Sequence, residues 1–236
     1  MSAFCRYIGI DYSGAETPES SLKGLRVYCA VGESAACEVP PPPSPRKYWT
    51  RRGIAHWLAE RLAEDVATIV GIDHGFSFPL RYFEVHRLPP DWPTFLEDFQ
   101  RHWPTDAEHT YVDFVRDGLA GNGAARTGNT RWRRMTEQRA GSAKSVFHFD
   151  VQGSVAKSTH AGIPWLLYLR KQIGRVCTAC SACVMSSRKT GTASCTPLMP
   201  TRSRLCRSRS RRACSRSRAA RDRRRIACRP ARVPGR

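Results

Sequence analysis

"ATIVGID", residues 67–73, is a continuous apolar run that ends abruptly on a carboxylate, and "YIGID", residues 7–11, does the same near the start of the chain. An uninterrupted Ile/Val run of this length is the mark of a strand buried on both faces. The segment between the two runs sets their relation. "LRVYCAV" (25–31) and "SAACEV" (34–39) read as short strands split by Gly32-Glu33, so strands one to three form an antiparallel meander. "PPPPSP" (40–45) enforces an extended connector. From Thr50, a suitable N-cap, Ile54, Trp57, Leu58 and Leu62 recur at helical spacing. A helix between the meander and a fourth strand is a crossover, and a crossover makes the fourth strand parallel to an earlier one. If that neighbour is strand one, Asp11 and Asp73 leave the sheet at the same carboxyl edge, where open α/β sheets place their ligand sites.

Charge divides the chain near Gly174. Residues 1–174 carry 21 Lys and Arg against 19 Asp and Glu, whereas residues 175–236 carry 18 against 1 and contain no aromatic residue. Only the first part has the side chains to bury a sizeable core, so the expected organisation is one domain over 1–174 and a basic Arg/Ser/Cys-rich tail over 175–236. There is no run of 18 or more apolar residues, and "MSAFCRYIGID" lacks the pattern of a signal peptide, so a cytoplasmic protein without a membrane partner is expected. Cys5, Cys29 and Cys37 suit reduced, packed thiols in that compartment.

Two carboxylates held together at a sheet edge repel each other, and a divalent cation between them relieves the repulsion. Oxygen ligands with few His or Cys nearby favour Mg²⁺ or Mn²⁺ over zinc, and such sites suit phosphodiester hydrolysis. Asp11 and Asp73 are therefore the candidate metal ligands and catalytic acids. The competing interpretation is that they cap turns, since Asp-x-Ser-Gly and Asp-x-Gly are common turn sequences.

Further on, "DWPTFLEDFQRHWP" and "DAEHTYVDFVRDG" read as two short amphipathic helices. Then "GNGAARTGNTRWRRMTEQRAGSAKS" (121–145) offers Arg126, Arg131, Trp132, Arg133, Arg134 and Lys144 as candidate nucleic-acid contacts, cations for phosphates and one ring for a base. The alternative there is a solvated loop with Trp132 tucked beneath it. "SVFHFDVQGSV" reads as a strand and a Gly turn, with Asp150 a turn or salt-bridge residue, before a helix carrying Ile163, Leu166, Leu167 and Leu169.

"IGIDYSGA", "GIDHGFSFP", "ARTGNTRWRRMTE" and "AKSVFHFDVQGSVAKSTHAGIPWLLYLR" together resemble the DUF429 family of predicted nucleases over residues 6–174. The resemblance implies a ribonuclease H-like mixed sheet, with Asp11 as the acid of strand one and Asp73 as the acid of strand four. It also implies a later Glu in a strand and a later Asp followed by Ala and an aromatic, and neither is found. The sheet is thus expected to be incomplete at its C-terminal side and hydrolysis to be weak or absent. Read from the third base of each codon, Met185-Ser-Ser-Arg-Lys is compatible with Asp-Val-Val-Ala-Glu, and Met199-Pro-Thr-Arg-Ser with Ala-Asp-Ala-Phe. The tail is accordingly read as a frameshifted continuation, expected to be disordered. A natural basic arm is the alternative.

Two other interpretations carry less. Cys177, Cys180 and Cys183 have C-x₂-C-x₂-C spacing, but position 187 is Ser where an iron–sulfur pattern needs Cys. An actin-like ATPase or phosphotransferase would share the strand order and an Asp-x-Gly turn at Asp73-His74-Gly75. Its first phosphate motif, however, does not match Asp11-Tyr12-Ser13-Gly14-Ala15.

Overall fold

The computed structural model describes residues 4–174 together with the backbone of two short strands at 177–179 and 184–187. Strands β1 (Arg6–Asp11), β2 (Arg26–Val31) and β3 (Cys37–Val39) form the antiparallel meander. Helix α1 (Arg51–Ala63) crosses over to β4 (Thr68–Ile72), which pairs in parallel with β1. The fold is α/β, built on an open mixed sheet in which this is the parallel pair. Strand three is shorter than the sequence suggests and begins at Cys37, because Ser34 bonds back to Val31 and closes a turn.

Helix α1 starts as its sequence requires. The Thr50 hydroxyl accepts from Gly53 N at 2.9 Å, and Ile54, Leu58 and Leu62 are buried on one face. Losing this cap in Thr50→Ala should cost about 1 kcal/mol, read as a lower urea midpoint with an unchanged m-value.

Beyond β4 the chain is helical: α2 (Leu80–Val85), α3 (Trp92–His102), α4 (Val112–Arg116), α5 (Met135–Arg139) and the long α6 (Ala156–Ile173), with a 3₁₀ turn at Gly123–Arg126. Helix α6 packs against both α1 and α3. Between these helices lies an aromatic cluster centred on Phe78, whose ring meets Tyr82, Phe95, Phe99 and Phe147 at centroid distances of 4.7 to 5.3 Å, mostly edge-on. Edge-on contacts between buried rings add to the area they remove from water. Tyr82, Phe95 and Phe99 are fully buried, so this cluster is the centre of the core.

Two expectations are corrected. "SVFHF" is not a strand: His148 N bonds to Ser145 O in a turn, and Val146 and Phe147 point into the aromatic cluster. Ring packing there overrides the strand propensity of the segment. The sheet also does not stop at β4. Cys177–Ala179 (β5) and Val184–Ser187 (β6) pair antiparallel with each other, and β6 pairs antiparallel with β4, giving the order β3-β2-β1-β4-β6-β5. An unpaired strand edge is a template for any adjacent extended chain, and β6 occupies this one. The remaining tail, including Cys180, Cys183 and the Arg/Ser-rich stretch, lies outside the described residues, as do the expectations of disorder and frameshift attached to it.

Candidate functional site

The β1–β4 register pairs Gly9 with Gly71 and Ile10 with Ile72, so the two Gly-Ile-Asp triplets run side by side and Asp11 and Asp73 emerge together. Two hydrogen bonds fix the exit. Asp73 N donates to Ile10 O at 3.2 Å, and Tyr12 N donates to Asp73 Oδ1 at 2.7 Å. Partial desolvation raises the proton affinity of the Asp73 carboxyl above the usual range, and the neighbouring Asp11 carboxylate raises it further. Both residues are exposed, so the pair faces solvent at the carboxyl edge.

The turns after the two acids are held from below by α6. Gly14 lies so close to Lys157 and Ser158 that a Cβ there would meet their backbone at 2.1 to 2.5 Å. Gly75 N donates to the Thr159 hydroxyl at 2.9 Å. The first turn of α6 is thus wedged between the Asp11 turn and the Asp73 turn. A third support comes from α1. The Arg51 guanidinium, 1% exposed, donates to the carbonyls of Ser13, Ala15 and Glu16 and gathers the loop after Asp11 around itself. Glu16 takes a left-handed conformation, with φ of 51°, to bring its carbonyl into reach. His74, between the acid and Gly75, is buried edge-on against Tyr12 with centroids 4.7 Å apart. Burial pulls its pKa down to about 4, so the ring is neutral at pH 7.

The six candidates of the basic segment have different surroundings. Arg126 is spent on Asp98 in a two-pronged pair, Nε to Oδ2 at 2.6 Å and Nη2 to Oδ1 at 2.9 Å. Trp132 packs against the core and meets the Phe147 ring edge-on at 6.0 Å, as the tucked-loop interpretation expects. Lys144 Nζ donates to Gln152 O at 2.5 Å. Arg131 and Arg133 are exposed. Arg134 lies against Gly75, two residues beyond Asp73, so the fold brings this candidate beside that turn. Asp150 pairs with Arg116 at 3.0 Å, a salt bridge as its sequence context suggests.

No protein-family model, curated protein or solved structure matches this chain.

The fit of a divalent cation can be judged from the donors. Two neighbouring carboxylates at the ends of parallel strands are hard oxygen donors, and the Tyr12 amide occupies Oδ1 of Asp73. Among the described residues, no three His, Cys, Asp or Glu side chains gather into a fuller metal-binding group. Two carboxylates are therefore the donors that this edge offers to a cation.

Arg51, Glu137 and Thr159 were not legible as site supports. Arg51 is an ordinary helix-start residue until the loop folds over it. Glu137 carries a partial signal, because a Glu three residues after an N-cap can accept from that residue's backbone N–H, as its Oε2 does from Arg134 N at 2.7 Å.

Proposed function

We propose that this chain is a nuclease-type phosphodiesterase scaffold of ribonuclease H-like architecture, in which Asp11 and Asp73 hold one Mg²⁺ or Mn²⁺ ion and the substrate is a nucleic acid. The observation that carries the reading is the paired exit of the two acids from parallel strands, with the Asp11 carboxylate raising the cost of ionising Asp73. The strand order β3-β2-β1-β4, antiparallel through the meander and parallel at the last step, supports the architecture. The resemblance in the four sequence motifs supports the same reading.

In this reading Asp11 and Asp73 bind the ion, and Tyr12 N keeps Asp73 turned toward it. The α6 turn and Arg51 hold both acid-bearing turns at fixed separation. A bound divalent ion would polarise the phosphodiester and lower the pKa of a coordinated water. With two acids rather than four, hydrolysis is expected to be weak or absent.

The test is a melting series with and without Mn²⁺. At a concentration a hundred times its dissociation constant, a specifically bound ion stabilises by about 2.7 kcal/mol, roughly 5–10 °C for a domain of this size. The wild type should show that shift and Asp11→Asn should not. Equal shifts in both proteins would remove the metal site. Rapid Mn²⁺-dependent cleavage that vanishes in Asp11→Asn would keep the site and overturn the weak-activity expectation. Salt-sensitive binding of nucleic acid that ignores Asp11→Asn, with no metal shift, would instead select a non-enzymatic binding protein working through exposed residues such as Arg131 and Arg133.

A further inference from the structure

Glu137 is a carboxylate buried to 4% exposure, and both of its oxygens are used by one residue. Oε1 accepts from Arg134 Nε at 2.8 Å and lies 2.6 Å from Arg134 Nη2, while Oε2 accepts from the Arg134 backbone N at 2.7 Å. This fixes the edge of the guanidinium formed by Nε and Nη2 and leaves Nη1 off the acid. Nη1 lies 3.0 Å from where a Cβ of Gly75 would stand. A side chain at position 75 would therefore push the guanidinium away from the turn that follows Asp73. Arg134 remains a quarter exposed, so part of its side chain reaches solvent.

A fixed arginine fork beside the turn that follows Asp73 has a clear chemical use. A phosphodiester approaching Asp11 and Asp73 is repelled by them, and a guanidinium held in place can offset that repulsion with directed donors to a nonbridging oxygen. A buried acid that locks the fork removes the rotamer entropy that binding would otherwise cost. The other arginines of the segment lack this arrangement: Arg126 has both donors of its fork on Asp98, while Arg131, Arg133 and Arg139 lie out in solvent.

We propose that Arg134 is the phosphate-binding residue of the Asp11–Asp73 edge, taking a nonbridging oxygen of a nucleic-acid phosphodiester, and that Glu137 is its positioning residue. The proposal rests on the nuclease-type reading for its substrate class, but its test does not depend on a metal or on cleavage.

The probe is the dinucleotide dTpdT, which carries one phosphodiester and so engages a single phosphate site rather than the whole basic chain. It is titrated into the full-length protein in the presence of EDTA, while the Nε–H signal of Arg134, assigned from its loss in Arg134→Lys, is followed by NMR. The signal should shift with saturable dependence on dinucleotide. Arg134→Lys, which keeps the charge but not the fork, should bind about tenfold more weakly, and Glu137→Gln about threefold to tenfold more weakly with the cation intact. An unmoved Arg134 signal, or Arg134→Lys binding as tightly as the wild type, would overturn the proposal. So would an unaltered affinity in Glu137→Gln, as far as the positioning role goes. If Asp11→Asn abolishes nothing in the Mn²⁺ series while the Arg134 shift persists, the metal reading fails and this one stands. A Mn²⁺ shift without any dinucleotide response gives the reverse.

Discussion

Gly14→Ala should yield little or no folded protein. The added Cβ would stand 2.1 Å from the carbonyl carbon and oxygen of Lys157 and 2.5 Å from Ser158 N, and all three are backbone atoms of the first turn of α6. A flexible side chain could swing aside, but a helix turn cannot move without lifting the helix. Helix α6 buries Ile163, Leu166 and Leu169 against α1 and α3, so displacing it opens the core. Overpacking against side chains costs about 1–3 kcal/mol, and a clash with fixed backbone belongs above that range. A domain stable by roughly 5–15 kcal/mol then loses a large share of its margin. Gly9→Ala is the control, since a Cβ there meets nothing within 4 Å. Far-ultraviolet circular dichroism and thermal melting should show Gly9→Ala close to the wild type and Gly14→Ala largely unfolded. A Gly14→Ala protein melting within a few degrees of the wild type would refute the wedged arrangement of α6.

The second large effect is acid sensitivity arising from His160. This residue is fully buried among Phe78, Phe99, Trp103, Phe147 and Phe149, with Nδ1 hydrogen-bonded at 2.9 Å to Ala156 O. Burial pulls its pKa down to about 3, from an ordinary value of 6.5. The folded histidine therefore stays neutral while the unfolded one takes up a proton below pH 6.5. Stability is whole above 6.5 and is lost progressively as pH falls from 6.5 toward 3. Two units into that window, at pH 4.5, the loss from this one group is about 2.7 kcal/mol.

Asp73 and Asp106 work in the opposite direction. Desolvation raises the pKa of each, so their contribution is fully present below about 3.8 and lost as pH rises through the raised value. Comparing variants separates the two trends. His160→Asn keeps a donor within reach of Ala156 O but cannot titrate. It should be less stable than the wild type at pH 7.5, and its stability should fall by roughly 2–3 kcal/mol less between pH 7.5 and 4.5, as measured by urea unfolding. Parallel pH profiles in the two proteins would show that His160 does not carry the dependence.

The fold was largely readable because each of its decisive signals is local or periodic. The two Gly-Ile-Asp runs, the Gly32 turn, the Thr50 cap and the spacing of Ile54, Leu58 and Leu62 each act within a few residues, and together they imply the crossover that makes β4 parallel to β1. The pairing of Asp11 with Asp73 followed from that topology. What could not be read depends on contacts between distant segments. The charge of Arg126 suggested a phosphate, but whether it meets Asp98 is settled only when α3 and the 3₁₀ turn pack together. Trp132 and Phe147 look available or strand-forming until the aromatic cluster claims them. Arg51 shows the same limit, since its three carbonyl partners lie on a loop whose path no propensity specifies.

The contact between α6 and the two acid-bearing turns also bears on the order of events during synthesis. Asp11 and Asp73 are among the earlier residues to leave the ribosome, yet the backbone that fixes their separation, Lys157 to Thr159, is made near the end of the domain. Until then the nascent sheet edge carries two like charges with no wedge behind them. The carboxylate edge acquires its geometry only when α6 docks. Any interruption of translation before that helix would release a chain whose site is unformed.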